Sequence, residues 1–155
     1  MTPPGRVSTA ARAARLGVKF LSHTEAARRH VSRLAAWAPL FGYRNFKETV
    51  YVTLRPHIIV PDGIEDPLDD WRVIRHELVH FERQPEGRFA LFRWVLAYGL
   101  KQRFRAIEEM HAHLEDIRTG RAPNDIPLVV EKMREWYRLG SIDPAWMVEW
   151  MGERL

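Results

Sequence analysis

The spacing of apolar residues along the chain predicts mostly helices, with one short β region. Ser22 and Glu25 have the spacing of a capping box, and a helical apolar pattern follows until Pro39 ends it. Residues 49–54 alternate between apolar and polar positions, and residues 57–61 contain a run of β-branched side chains. These two segments predict a small hairpin or two edge strands.

Helical periodicity returns beyond the strand region. One helix is predicted over residues 71–83, with Asp69 or Asp70 placed to cap it. The pattern is helical again over residues 89–117, where Gly99 marks a possible break between two segments. We therefore expect two helical regions on the carboxyl side of the strands.

Two further helices are predicted near the end of the chain. One covers residues 128–139 and ends at Gly140, and a short last helix begins after Asp143, which precedes Pro144. Together the pattern predicts an α+β fold that is mostly helical, with a small β-hairpin or sheet beside the helix over residues 71–83.

The first twenty residues lack a firm apolar stripe. Two prolines and a glycine are followed by small residues, so residues 1–20 are predicted to form a loosely ordered or weakly helical basic tail. The full length of 155 residues accommodates one domain of ordinary size. We assign that domain to residues 21–155.

Composition narrows the function classes. Hydrophobic residues make up 46% and charged residues 28%, which is typical of a globular protein and excludes a disordered or fibrous chain. Cysteine is absent, so a metal site has only nitrogen and oxygen ligands available. No signal peptide and no transmembrane segment is predicted, which makes a cytoplasmic location the default expectation.

Charge is distributed unevenly along the chain. Residues 1–44 contain eight Lys or Arg and one acid, a net charge of +7, whereas the remainder has a net charge of −3. A basic region of this kind is typical of a surface that binds nucleic acid or an anionic membrane. A solvated basic helix face has the same composition, and we favour that interpretation.

The segment VIRHELVHFER, residues 73–83, carries the clearest chemistry. His76 and His80 are four residues apart and share one face of the predicted helix, so both imidazoles can bind one metal ion. Zinc held by neutral nitrogens lowers the pKa of a bound water to about 7. Glu77 is placed to act as general base toward that water, which predicts peptide hydrolysis by a zinc-dependent mechanism.

A catalytic zinc site usually takes a third protein ligand. If Leu100, Phe104, Ile107 and Leu114 define the buried face of the helix over residues 89–117, Glu108 and His111 lie on or beside that face. We assign Glu108 as the third ligand. His111 is a competing ligand or a partner of Glu108, and Glu109 is predicted to point away, although a small change in helix phase would exchange the two glutamates.

Residues 50–115 resemble the short glutamate-zincins, or minigluzincins, and in particular metallopeptidases of phage and bacterial genomes. Three segments carry the resemblance: residues 57–61 (HIIVP), residues 75–80 (RHELVH) and residues 107–112 (IEEMHA). Glu108 matches the ligand glutamate of that family, and His111 stands where a small residue is common. The resemblance implies a strand layer whose edge aligns an extended peptide, and a glutamate-bearing helix that completes zinc coordination.

The predicted function is therefore hydrolysis of a peptide or protein substrate with Zn²⁺ as cofactor. Two alternatives remain open at the level of sequence. The first is a binding or regulatory module that holds zinc without cutting peptides. The second is a nucleic-acid or membrane-surface binder that acts through the basic N-terminal region.

Overall fold

The computed structural model describes residues 3–29 and 50–155. The chain divides into two compact units, Met1–Gln84 and Pro85–Leu155. Within the described ranges there are seven α-helices and one three-stranded sheet. The predicted α+β class, mostly helical with a small sheet, is confirmed.

The first unit contains the sheet. Its elements are α1 (Pro4–Arg15), β1 (Lys19–Ser22), α2 (His23–Arg28), β2 (Val52–Leu54), β3 (His57–Val60), a 3₁₀ helix (Pro67–Asp70) and α3 (Trp71–Arg83). The central strand, β3, pairs antiparallel with β2 and parallel with β1. The predicted hairpin is confirmed, but β1 was missed because its four residues include a single buried side chain, Leu21.

Helix α2 begins as predicted. The hydroxyl of Ser22 accepts a hydrogen bond from the backbone amide of Glu25 at 3.1 Å. The amide and hydroxyl of Thr24 both donate to Asp62, at 2.9 and 2.8 Å, and these bonds hold the pKa of the Asp62 carboxyl below its usual value. The predicted continuation of this helix toward Pro39 lies outside the described residues.

The core of the first unit forms between α3 and the sheet. Ile74, Leu78 and Phe81 follow the helical spacing i, i+4, i+7 and are all 1% exposed or less. They pack with Ile58 and Val60 of β3. Because side chains on a strand alternate between its two faces, β3 presents Ile59 to a separate small cluster on the other face of the sheet.

The structure corrects the predicted N-terminal tail. Pro4–Arg15 form a regular helix, α1, which packs against α3. Only Thr9 and Ala13 are buried in it, so the sequence shows no wide apolar stripe. The helices approach closely at Gly5, where a Cβ atom would lie 2.5 Å from the Trp71 ring. Small residues therefore serve packing here, since they allow α1 to lie close to its neighbour.

Two cations of the predicted basic tail form ion pairs inside the first unit. Arg6 pairs with Asp66 and, at 3.2 Å, with Asp69. Arg12 donates through Nε and Nη2 to the two oxygens of Glu82, at 3.0 and 2.7 Å. This forked geometry aligns α1 with α3 and balances part of the local positive charge.

The second unit is helical. Its elements are α4 (Arg88–Leu100), α5 (Gln102–Arg118), α6 (Ile126–Trp136) and α7 (Pro144–Gly152). The predicted break between the first two helices occurs at Lys101, whose backbone is extended with φ −108° and ψ 102°, and not at Gly99. The predicted cap of the last helix is confirmed, because Asp143 accepts a hydrogen bond from the amide of Ala145 at 2.9 Å.

Methionines fill much of the core of the second unit. Met110, Met133, Met147 and Met151 are fully buried and contribute to a cluster formed by α5, α6 and α7. Their unbranched side chains fill the irregular space between helices that cross without a sheet to order them. None of the helices in the described ranges is both long and apolar enough to cross a membrane.

The Arg12–Glu82 pair predicts a pH-dependent contribution to stability. The hydrogen bonds from Arg12 are the main cause that lowers the pKa of Glu82. A lowered folded-state pKa contributes stability above the unfolded-state pKa, and this contribution is lost as pH falls through the folded-state value. Because the pair is partly exposed, Glu82→Gln should lower the free energy of unfolding at pH 7 by less than about 1 kcal/mol.

Urea denaturation at neutral and strongly acidic pH measures this difference. The difference in free energy of unfolding between wild type and Glu82→Gln should disappear at acidic pH, where the carboxyl is protonated in both the folded and the unfolded state. Glu131→Gln, an exposed position on α6, is the matched control and should show no such change. An equal difference in free energy of unfolding at both pH values would contradict a stabilising role for the charged Arg12–Glu82 pair.

Candidate metal centre

Two imidazoles lie side by side on α3. His76 and His80 are 5% and 7% exposed, and their ring centroids are 5.1 Å apart with an interplanar angle of 71°. One ring nitrogen of each lies within 4.8 Å of the other. Two nitrogens at about 2.1 Å from one zinc ion are at most about 4.2 Å apart, so this upper bound is close to what a shared ion requires.

The position of this pair follows from the helical period of α3. Ile74 and Leu78 lie at the centre of the face that packs on the sheet. Because successive residues of an α-helix are rotated by about 100°, His76 and His80 project from the opposite side of the helix. Glu77 lies at the border between these faces. The same helix therefore anchors itself in the first unit and presents both imidazoles away from that anchor.

Glu77 is held by the neighbouring strand. The hydroxyl of Thr53 on β2 donates to Oε2 of Glu77 at 2.6 Å and also lies 3.1 Å from the backbone carbonyl oxygen of Glu77. The carboxylate is 8% exposed. Sequence reasoning missed Thr53, and its only signal was a polar residue in the alternating segment that precedes the histidine helix.

Gln84 joins the end of α3 to the same strand. Its side-chain amide donates to the carbonyl of Thr53 at 2.7 Å and accepts from the backbone amide of Arg55 at 2.9 Å. The guanidinium of Arg55 donates in turn to the backbone carbonyl of Gln84 at 3.1 Å. Gln84 itself is 2% exposed, and these partly buried bonds fix where α3 ends relative to β2.

In the second unit, α5 carries two buried glutamates. Glu108 is 3% exposed, as expected for the predicted third ligand. Glu109, however, is 1% exposed and accepts a hydrogen bond from the hydroxyl of Tyr98, which corrects the prediction that it points to solvent. The predicted face was misplaced because Leu100, used to define it, belongs to α4 and is 79% exposed.

Glu109 belongs to a buried polar face of α5. Glu109, His113 and Asp116 have the spacing i, i+4, i+7 and are all buried. This spacing was present in the sequence and could have drawn attention to His113 and Asp116. The spacing did not identify the buried face because the apolar residues taken to define that face included Leu100 of α4.

His111 lies on a different side of α5. It is half-buried and meets the ring of Trp150 edge-on, with centroids 4.8 Å apart. Trp150 belongs to α7, so the contact lies among the helices of the second unit.

A second polar arrangement is built around Asp116. Both carboxylate oxygens accept from Nη1 of Arg121 at 2.9 Å, and Oδ2 lies 3.1 Å from Nδ1 of His113. A carboxylate at this position favours a proton on Nδ1 of His113. The arrangement therefore orients one imidazole and directs its Nε2 atom away from Asp116.

Ligand chemistry selects a small set among the described residues. In the first unit the His76–His80 pair offers two buried imidazole nitrogens, and in the second unit α5 carries the buried carboxylates of Glu108, Glu109 and Asp116 and the imidazole of His113. Comparison with protein-family models, with curated proteins and with solved structures finds no match for this chain. The function must therefore be inferred from the chemistry and the positions of the side chains.

We expect Asp116 to contribute measurably to the free energy of unfolding of the protein. Asp116→Asn preserves the size of the side chain but removes the charge that pairs with Arg121 and orients His113. We expect a loss of about 1–3 kcal/mol in the free energy of unfolding, measured by urea denaturation, because buried His113 and the more exposed Arg121 both lose a charged acceptor. Asp125→Asn is the control, since asparagine caps a helix as well as aspartate. Equal stability of Asp116→Asn and wild type would contradict this role.

Proposed function

We propose that this protein is a zinc-dependent peptidase whose ion is bound by His76 and His80 and whose general base is Glu77. The observation that carries the proposal is the geometry of α3. Two buried imidazoles lie one turn apart with ring nitrogens within 4.8 Å, and the intervening carboxylate is hydrogen-bonded to a strand residue. A buried histidine pair of this kind fits a divalent ion that prefers nitrogen ligands.

The resemblance to the glutamate-zincins implies that a carboxylate of α5 is the third ligand. Glu109 is the first choice and Glu108 the second. Glu109 is the more buried of the two and has one oxygen fixed by Tyr98. A ligand oriented by an outer hydrogen bond is the usual arrangement in zinc sites.

The protein residues have distinct roles in the proposed reaction. When bound, zinc polarises the substrate carbonyl and makes a coordinated water more acidic. Thr53 holds Oε2 of Glu77, which leaves Oε1 to take a proton from the attacking water. Glu77 then passes that proton to the leaving amine as the peptide C–N bond breaks.

The substrate class is an extended peptide or protein segment. The resemblance to the glutamate-zincins implies that a sheet edge aligns such a segment. In this chain the carbonyl of Thr53 and the amide of Arg55 are already bonded to Gln84. Backbone pairing of the substrate through those two groups is therefore not part of the proposal.

Glu77→Gln separates catalysis from metal binding. The amide cannot accept the proton from water, so hydrolysis should fall at least about 100-fold while zinc content stays at the wild-type level. Digestion of a peptide library, with and without chelator, measures activity, and elemental analysis of the same sample measures zinc.

Glu82→Gln is the matched control on the same helix, and it should retain both zinc and activity. Undiminished activity in Glu77→Gln would rule out the proposed mechanism. Zinc binding without any hydrolysis by wild type would instead favour a zinc-containing binding or regulatory module.

The third ligand is decided by comparing two neighbouring substitutions. Glu109→Gln should weaken zinc binding at least about tenfold, because an amide replaces a charged oxygen ligand. Glu108→Gln should leave zinc affinity within a factor of about three of wild type. Competition with a chromophoric chelator gives both affinities. The opposite order would assign the ion to Glu108, and equal affinities would exclude both glutamates as ligands.

A further inference from the structure

Helix α4 presents an apolar strip that no other element of the second unit covers. Phe89, Phe92, Leu96 and Leu100 recur at the spacing i, i+3, i+7, i+11 and lie within one sector of the helix. Phe89 is 75% exposed and Leu100 79%, and Phe92 is exposed as well. For side chains of this size such exposure is unusual when they form a continuous strip.

The opposite side of α4 carries its packing contacts within the second unit. Trp94 meets Phe104 of α5 edge-on, with centroids 5.7 Å apart, and stacks on Tyr98 at 5.3 Å. Tyr98 also donates to Glu109 of α5. These contacts fix the rotation of α4 about its axis, so the apolar strip is held in an outward orientation.

Cations border the strip on both sides. On a helical projection Arg88 and Arg93 flank the four apolar residues, and both arginines are exposed. Neither forms an ion pair with another described residue. Residues 87–107 contain five Lys or Arg and no acid. The surface therefore combines a row of apolar side chains with an uncompensated positive border.

The apolar strip and its positive border together indicate which partner binds this surface. A second copy of the same surface would bring Arg88 and Arg93 against identical charges, with no acid in the helix to compensate them. An anionic lipid bilayer offers phosphate and carboxylate groups to the arginines and hydrocarbon to the apolar strip at the same time. The helix is 13 residues, about 20 Å, long, which suits a position along the surface of a bilayer whose hydrocarbon core is about 30 Å thick.

We infer that α4 is a docking surface for membranes that contain anionic lipids. Phe89, Phe92 and Leu100 insert between the headgroups, and Arg88 and Arg93 pair with lipid phosphates. This inference does not depend on the proposed peptidase activity, because the strip shares no residue with the proposed ligand set. It also differs from binding through the basic N-terminal region, where Arg6 and Arg12 are paired.

Vesicle co-sedimentation of the full chain tests the inference. The protein should sediment with phosphatidylcholine vesicles that contain phosphatidylserine, and binding should weaken at high salt. It should not sediment with vesicles of phosphatidylcholine alone. Each arginine near an anionic surface raises affinity roughly fivefold, so Arg88→Gln combined with Arg93→Gln should reduce binding about 25-fold.

Apolar insertion has its own variant and control. Phe89→Ser combined with Leu100→Ser should lower vesicle affinity at least about tenfold. Val7→Ser is the matched apolar control, because Val7 is 57% exposed on α1, and Lys132→Gln is the matched charge control on α6. Both control variants should bind like wild type.

Three results would overturn the inference. Wild type could fail to sediment with anionic vesicles, or the Phe89 and Leu100 variant could bind as well as wild type. The third is a concentration-dependent dimer, seen by sedimentation velocity without vesicle binding and lost in the same variant. That result would assign the surface to self-association. Circular dichroism of each variant confirms that any loss is not due to unfolding.

Discussion

The packing of α3 on the sheet is the constraint on which the rest of the first unit depends. Ile74, Leu78 and Phe81 fill the core, and their helical spacing fixes the rotation of the helix about its axis. Once that rotation is fixed, His76 and His80 can only project from the opposite side. Gln84 then secures the end of the helix to β2 through hydrogen bonds to Thr53 and Arg55. The geometry of the histidine pair is thus a consequence of core packing, because one helix supplies both the core residues and the imidazoles.

Buried carboxylates in each unit are held by polar side chains of the same unit. Thr53 restrains Glu77, Tyr98 restrains Glu109, and Arg121 restrains Asp116. Such restraints reduce the rotamers available to each carboxylate. Each unit supplies the residues that restrain its own carboxylates. The partners therefore fix the position of each carboxylate as well as balancing its charge or polarity.

The two units use different means to stabilise a small core. The first combines a three-stranded sheet with forked ion pairs such as Arg12–Glu82. The second relies on methionine-rich helix packing and leaves the apolar strip of α4 outside that packing. Burial of that strip in its own unit would add stability, and its exposure beside unpaired arginines therefore points to a function in binding.

Several features could be predicted from sequence because they depend on neighbouring residues. Helical period placed His76 and His80 together, capping chemistry located the starts of α2 and α7, and alternation identified the hairpin. Tertiary structure decided the rest. Strand β1 needed a partner distant in sequence, α1 needed α3 to bury Thr9 and Ala13, and Glu109 needed Tyr98 to leave solvent. Periodicity reports how side chains are arranged around one element, whereas only packing determines which of its faces meets another element.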